Sequence, residues 1–283
     1  MSKEDYKVKD FRFSLLMSVY YGTNAEELKD CFESINVQSV KPDETVVVCD
    51  GSISDKVNEI LENESRNGVV KIVRLDENKG LGMALAAGLN ECSYELVARM
   101  DTDDVCLSGR FEKQIEYIKE HPDMDIVGGS MTEFVDHPSN PVALRKVPCN
   151  HNDIVKFLKK RCPFNHMTVM FRKSAVERAG GYQHWLYNED YYLWLRMYLS
   201  DAKFANLDDT LVCARVGSEM YRRRGGLKYY KSEKELQKFM LKNGIINRFT
   251  YFANVSKRFV LQVLMPNKLR GWVFKKFARK RVN

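Results

Sequence analysis

The sequence predicts an α/β protein built on a mostly parallel sheet, and two observations carry that class. Over the first 130 residues, short apolar runs rich in Val, Leu and Ile alternate with segments of helical periodicity, and repeated β-α units make a parallel sheet covered by helices. The second observation is the position of two acidic motifs. "VVVCDGS" and "RMDTDD" each end an apolar run, and parallel sheets bind ligands beyond the carboxyl ends of their strands. Both motifs are therefore expected to share one crevice.

Taken in order, "FRFSLLMSVY" reads as a strand, residues 25–36 as a helix, "TVVVCD" as a strand, residues 54–65 as a helix and "VVKIVRL" as a strand. Residues 80–91 read as a helix whose glycines and alanines, in "NKGLGMALAAGL", let it approach the sheet closely. Leu85 stands where a dinucleotide fingerprint would need its third glycine. "YELVARM" follows as a strand, then residues 107–120 as a helix with Phe111, Ile115 and Ile118 on one face. After Glu133 the pattern loosens through a Pro-bearing loop into a helix over 153–160, a strand at "MTVMFRK" and a helix from Asn188. From Lys228 the chain is mostly helical, with "PNK" at Pro266 to Lys268 separating the last two helices.

At 283 residues and 44% apolar content the chain can fill a sizeable core. Its apolar runs fall short of the roughly 20 residues that cross a bilayer. No leader pattern opens it, so a cytoplasmic location is expected. Seven scattered cysteines without a C-x-x-C pair fit a reducing compartment and argue against a zinc site. The net charge of +7 is unevenly spread: residues 221–283 hold 18 Lys and Arg against two Glu, while the first 220 hold 27 against 36 acids. An acidic body with a basic tail suits an anionic surface, lipid or nucleic acid.

Four features carry chemistry. In an extended backbone Asp101 and Asp103 point to one side and can share a divalent ion, with magnesium or manganese the natural choice for hard oxygen ligands. The same residues also fit a solvated turn in which Asp104 or Ser108 caps the next helix. Asp50 ends a buried strand and fits either a ligand contact or a helix cap. In "YNEDYYLWLRMYL", a helix capped by Asn188, Asp190 falls on the apolar stripe of Leu193, Trp194 and Met197. Burial there raises a carboxyl pKa. Glu189 lies off that stripe, and both acids also fit a helix-dipole role. His166, just before a strand, is of the kind usually held by hydrogen bonds in a core or loop.

Together "SVYYG", "VVVCDGS", "NKGLGMALAAGL", "ARMDTDDVCLSGRFEKQ", "AGGY", "EDYYLWLRM" and "YRRRGG" resemble the family 2 glycosyltransferases in order and spacing, over about residues 12–226. The branch they resemble most is that of amylovoran-like exopolysaccharide transferases. The resemblance implies a GT-A fold with a Rossmann-like sheet, a transferase domain over 1–226 and a basic helical extension over 227–283. It implies that Asp50 recognises the donor's base, with Tyr20, Asn78, Gly80, Arg99 and Asp101 also on the donor. Asp101 and Asp103 would be the D-x-D pair holding Mg2+ or Mn2+, and Asp190, beside Glu189 in the E-D motif, the catalytic base. The implied reaction is inverting transfer from a nucleoside-diphosphate sugar, a UDP-sugar favoured, to a glycan or lipid-linked glycan acceptor in surface polysaccharide assembly.

Two departures matter. Cys49 stands where many relatives have an acid, and "ARVGSEMYRRRGG" lacks the later metal-facing histidine that many carry. The alternatives are a sugar nucleotidyltransferase, which would want a Gly-rich basic loop after the first strand where this chain has only Gly22, and a nucleic-acid-binding protein. No nucleic-acid partner is expected, because the basic charge is confined to the tail. An anionic membrane is the tail's expected partner, through one apolar stripe of Phe259, Val260, Val263 and Leu264 and a second of Leu269, Trp272, Val273 and Phe277, interrupted by Lys276 and Lys280. Packing on the core is the competing reading of that tail.

Overall fold

Strand β1 (Phe13–Val19) defines the two faces of the sheet in the computed structural model, which describes residues 11–66, 68, 70–217 and 225–266. It is followed by α1 (Ala25–Asn36), β2 (Glu44–Cys49), α2 (Asp55–Arg66), β3 (Val70–Arg74), α3 (Leu81–Glu91) and β4 (Leu96–Arg99). Next come β5 (Val105–Cys106), α4 (Arg110–Glu120), β6 (Ile126–Phe134), β7 (Ala143–Arg145), α5 (His151–Leu158), β8 (Met170–Arg172), α6 (Lys173–Arg178), α7 (Glu189–Leu199) and β9 (Phe204–Arg215). Helices α8 (Leu227–Lys242) and α9 (Arg248–Phe259) follow, the latter continued by a π-helical turn over Val260–Leu264.

The strands form one sheet in the order β3-β2-β1-β4-β8-β6-β9-β5, with β7 paired to β6. Strands β3, β2, β1 and β4 are parallel, β8 runs antiparallel to β4 and β6, and β9 is parallel to β6. The order reverses between β1 and β4, and the ends of these two strands lead to Tyr20 and Asp101. That is the switch point where an open α/β sheet binds its ligand.

Period-2 alternation along β1 builds a core on each face. Phe13, Leu15 and Met17 pack with Leu28 and Phe32 of α1 and Phe111 and Ile115 of α4. Leu16 points the other way, into a core with Leu85 and Leu89 of α3 and Leu193 and Trp194 of α7. The expected close approach of α3 is present at Gly88, where an added Cβ would lie 2.5 Å from Leu16 Cδ1 and 2.6 Å from Val48 Cγ2. Helix α8 joins that second core through Leu236 and Met240, while α9 is tied on by Asn254 Nδ2, which donates to Lys159 O at 2.9 Å. The part of the basic extension described here therefore packs against the body.

Several expectations are corrected. The strand expected over "MTVMFRK" shrinks to β8, because a 3-10 turn at His166–Thr168 is pinned by Thr168 Oγ1 donating to Asn165 O at 2.8 Å. Helix α4 begins at Arg110 and not at 107, since Val105 and Cys106 pair with Cys213 and Val212 of β9, and left-handed Gly109 then starts the helix. Neither Asp104 nor Ser108 caps it. Asn188 does not cap α7 with its side chain, which donates to Ser232 Oγ of α8 at 3.2 Å. The second tail stripe and most of "YRRRGG" lie outside the described residues.

Candidate active site

The turn after β2 and the turn before α3 are pressed together. Gly51 has φ of 78°, and a Cβ there would sit 2.7 Å from Asn78 N, so only glycine fits. Across this contact the Asp50 carboxylate accepts from Lys79 N at 2.7 Å and Gly80 N at 3.0 Å, while Asn78 Nδ2 donates to Asp50 O at 3.2 Å. Asp50 thus serves the amides leading into α3. The helix that follows Asp50 in sequence is served instead by Ser54 Oγ, which accepts from Val57 N at 3.4 Å. Beside this junction lies a cleft of about 350 Å3 lined by Cys49, Gly51, Ser52, Asn58, Arg74 and Asp76. Arg74 is held at its wall by Asn58 Oδ1 (2.6 Å) and Glu62 Oε1 (2.8 Å), with Cys49 Sγ 3.8 Å away. Tyr20 lies exposed at the end of β1, its ring edge-on to Tyr21 at 5.2 Å.

At the end of β4, one carboxylate oxygen each from Asp101, Asp103 and Asp104 fall within 4.8 Å of one another. Asp104 is buried. Its Oδ1 accepts from Arg215 N of β9 at 2.9 Å, and its Oδ2 has no partner. Loss of solvent, and then the neighbouring acids, push the Asp104 carboxyl well above the usual range and that of Asp103 up to about 6. Such crowding is unfavourable unless a cation joins it. The donor set is all hard oxygen, so the residues fit a magnesium or manganese ion. Arg99, 2% exposed, supplies part of the counter-charge: its Nη1 lies 2.5 Å from Asp101 Oδ1.

Glu189 and Asp190 open α7 and are both half-buried. Asp190 lies on the buried stripe with Leu193, Trp194 and Met197, as its spacing predicts. Its Oδ1 accepts from Tyr191 N at 2.6 Å and its Oδ2 faces Cys162 Sγ at 3.5 Å. Burial raises the Asp190 pKa against these two hydrogen bonds and the fields of Arg145 and Arg99. Burial, then the charge of Asp190, pushes Glu189 up to about 7. Arg99 also faces the buried pair His166 Nε2 and Tyr182 OH, 2.9 Å apart, where burial first and Arg99 second keep the imidazole neutral. His166 is thus a hydrogen-bonded core residue.

The structure accordingly sets Asp101 and Asp103 with Arg99 at the end of β4, Asp50, Asn78, Gly80 and Tyr20 at the neighbouring strand ends, and Glu189 and Asp190 at the start of α7, with Glu189 against Gly82 of α3. Two participants escape sequence reasoning. Cys162 is one of seven scattered cysteines, and nothing local announces its contact with Asp190. Arg215 closes β9, its backbone N–H on Asp104 and its Nε donating to Asp103 O at 3.3 Å, while the guanidinium pairs with Glu27 and Asp30 of α1, each at 3.3 Å. A basic residue ending "LVCAR", where a metal-facing residue is otherwise expected, is the signal that could have found it.

The family model described as Glycosyl transferase family 2 matches residues 14–179. The amylovoran biosynthesis glycosyltransferase AmsE of Erwinia amylovora is 41% identical over 93% of this chain and 98% of its own length. An Escherichia coli UDP-Gal:alpha-D-GlcNAc-diphosphoundecaprenol beta-1,3-galactosyltransferase is 34% identical over 95% of this chain and 97% of its own. Among solved structures, Staphylococcus aureus TarS 1-349 in complex with UDP-GlcNAc superposes with a TM-score of 0.66 at 17% identity, over 94% of this chain and 76% of that one, which supports the GT-A fold. On the family match and the two relatives together, this chain belongs to glycosyl transferase family 2 and is a glycosyltransferase.

Proposed function

We propose that the protein transfers a sugar, with inversion and with the help of Mg2+ or Mn2+, from a nucleoside-diphosphate sugar to a hydroxyl of a lipid-linked glycan during bacterial surface polysaccharide assembly. The observation that carries this reading is the cluster of Asp101, Asp103 and Asp104 at the end of β4, beside the switch point of the sheet, with buried Arg99 Nη1 2.5 Å from Asp101 Oδ1. A donor-binding group of acids and a separate base are what glycosyl transfer to a hydroxyl requires.

In this reading the donor's base and ribose lie along Asp50, Tyr20, Asn78, Gly80 and the cleft beside Arg74. Arg99 acts on the donor indirectly, by fixing Asp101. Asp103 and Asp101 hold the ion, which when bound offsets the charge developing on the departing diphosphate. Asp190 takes the proton of the acceptor hydroxyl as its oxygen attacks the anomeric carbon from the face opposite the diphosphate. One base on that face gives inversion. A UDP-sugar donor and a lipid-linked acceptor are supported by the substrates named for the Escherichia coli relative. With residues 1–226 as the transferase unit and 227–283 as a basic extension, the enzyme would work in the cytoplasm, at the membrane face where such an acceptor waits. Family membership sets aside the nucleotidyltransferase alternative.

The test incubates the protein and Mn2+ with a panel of nucleotide sugars and a diphospholipid-linked monosaccharide, reading nucleoside diphosphate release and product linkage. One donor is expected to be consumed only when acceptor and metal are both present. Metal-independent transfer, or retention at the anomeric carbon, would overturn the reading.

A further inference from the structure

Helix α9 carries its largest apolar side chains on the outside. Phe249 is 82% exposed, Phe252 64%, Phe259 37%, and Val260 and Leu264 of the π-helical turn 49% and 62%. At about 100° per residue these five fall on one face, with Ala253 and Ser256 between them. The opposite face holds the contacts to the body. Asn254 Nδ2 reaches Lys159 O and Gln237 Oε1, Arg258 Nη2 reaches Lys160 O at 2.8 Å, and Arg258 pairs with the buried Glu233 of α8. Asn254 and Arg258 thus face the protein while Phe249 and Phe252 face water, against the ordinary sense of amphipathic packing. A contiguous apolar ridge of this kind marks a surface with a partner.

The charges say which partner. From Leu227 to Pro266 the chain holds eight Lys and Arg against two Glu, and both acids are already engaged, Glu233 by Arg258 and Glu235 by Lys238 at 2.7 Å. Lys228, Lys231, Lys242, Arg248 and Lys257 are exposed on α8 and α9. The sequence beyond Pro266 adds seven more basic residues and no acid. Unopposed positive charge beside protruding aromatic side chains matches an anionic lipid surface, where the rings enter the acyl boundary and the cations meet headgroups. Among the described residues no helix is long and apolar enough to cross a bilayer, so this contact would lie in the plane of the interface.

We infer that the outward face of α9, from Phe249 to Leu264, is a membrane-docking surface for anionic phospholipid. The inner face of the same helix is tied to Lys159 and Lys160, just before Cys162, the residue that touches Asp190. Docking would therefore anchor the segment next to the proposed base, where the lipid-linked acceptor of the proposed function must arrive. The surface itself rests on exposure and charge and does not depend on that acceptor.

The test uses the full chain and sucrose-loaded vesicles free of donor and acceptor, so that its result is independent of any transfer activity. Binding to phosphatidylglycerol-containing vesicles, and at least tenfold weaker binding to pure phosphatidylcholine, is expected. The double variant F249S/F252S should lose at least tenfold in partitioning while keeping its circular dichroism and thermal midpoint, since both rings are in solvent. A wild-type chain that ignores anionic vesicles, or a double variant that binds them as wild type does, would overturn the inference. So would a wild-type dimer in sedimentation velocity that F249S/F252S dissolves, because a second copy would then be the ridge's occupant.

Discussion

Cys162 Sγ lies 3.5 Å from Asp190 Oδ2, on a segment that no sequence pattern links to α7. The thiol has one hydrogen and two acceptors at that distance, the carboxylate and Phe164 O, and the charged acceptor is the stronger. With Tyr191 N on Oδ1, both oxygens of the proposed base are oriented, each leaving lone pairs free for an incoming hydroxyl.

This contact predicts a pH effect. The groups acting on Asp190 are Glu189 beside it, Arg99 of β4, Arg145 of β7, the Tyr191 amide and the Cys162 thiol. The thiol favours the ionised carboxylate, so Cys162→Ala should raise the Asp190 pKa further and move the acid limb of the transfer profile to higher pH. Cys162→Ser, which keeps a donor, should move it less. Donor KM should stay unchanged in both. A profile measured at saturating donor decides it, and an unshifted acid limb in Cys162→Ala would show that the thiol does not act on the base.

The crowded carboxylates predict a metal-dependent stability. Asp103 at about 6 and Glu189 at about 7 hold protons in the folded state that the unfolded chain, with ordinary carboxylates near 4, has already released. The folded state therefore binds more protons between about pH 4 and 7, and stability falls as pH rises through that window. Apo protein should melt higher at pH 5 than at pH 7.5. Added Mn2+ should raise the midpoint at pH 7.5 and much less at pH 5, where it competes with protons. Asp103→Asn should melt higher than wild type without metal and lose the Mn2+ response, along with metal-dependent heat of nucleoside diphosphate binding.

The parts of this site that were legible in the sequence are those written in contiguous residues. β1, β2 and β4 read correctly because each is a short run buried on at least most of both faces, and β3, only partly buried, because its β-branched run stands between turns; Asp50 and Asp101 follow from where β2 and β4 stop. Long-range pairings stayed hidden. β5 is two residues whose identity as a strand depends on Cys213 and Val212, more than a hundred positions later. β9 carries Asp208 and Asp209 in its middle, where the ladder to β6 shifts register, so its apolar pattern is broken and it was not expected at all. Cys162 and Arg215 come to the acids only through such pairings. In the tail, periodicity located a stripe at Phe259 to Leu264 but not its continuation through Phe252 and Phe249, because only packing reveals that Asn254 and Arg258 are the side of α9 tied to the body.

Asp50 is predicted to act twice. Its carboxylate closes the Lys79 and Gly80 amides, a cap whose loss costs about 1 kcal/mol, and the same turn borders the proposed base cleft. Asp50→Ala should lower the thermal midpoint by a few degrees and weaken nucleotide sugar binding. Metal binding to added inorganic diphosphate should survive, since the acids at β4 are untouched. Calorimetry with each ligand separates the two roles. Equal loss of both would make Asp50 a structural residue only.

The last prediction separates the two acids that open α7. Asp190→Asn keeps shape and hydrogen bonding but removes the base, so transfer should fall by roughly 100-fold or more while nucleotide and metal still bind. Glu189 is placed differently. Its carboxyl meets its own backbone amide, its Cβ approaches α3 at Gly82, and its pKa of about 7 leaves it partly protonated at neutral pH. Asp190 has both carboxylate oxygens oriented, Oδ1 by Tyr191 N and Oδ2 by Cys162 Sγ, and is the carboxylate placed to take a proton. Glu189→Gln should therefore cost much less in rate. Removing its carboxyl also ends the apo stability loss near pH 7, which a melting series would register as a flatter curve. If both acids served only the helix dipole, each change would cost a few tenths of a kcal/mol in stability and little rate. Near-normal transfer by Asp190→Asn with a verified acceptor would place the base elsewhere in the crevice.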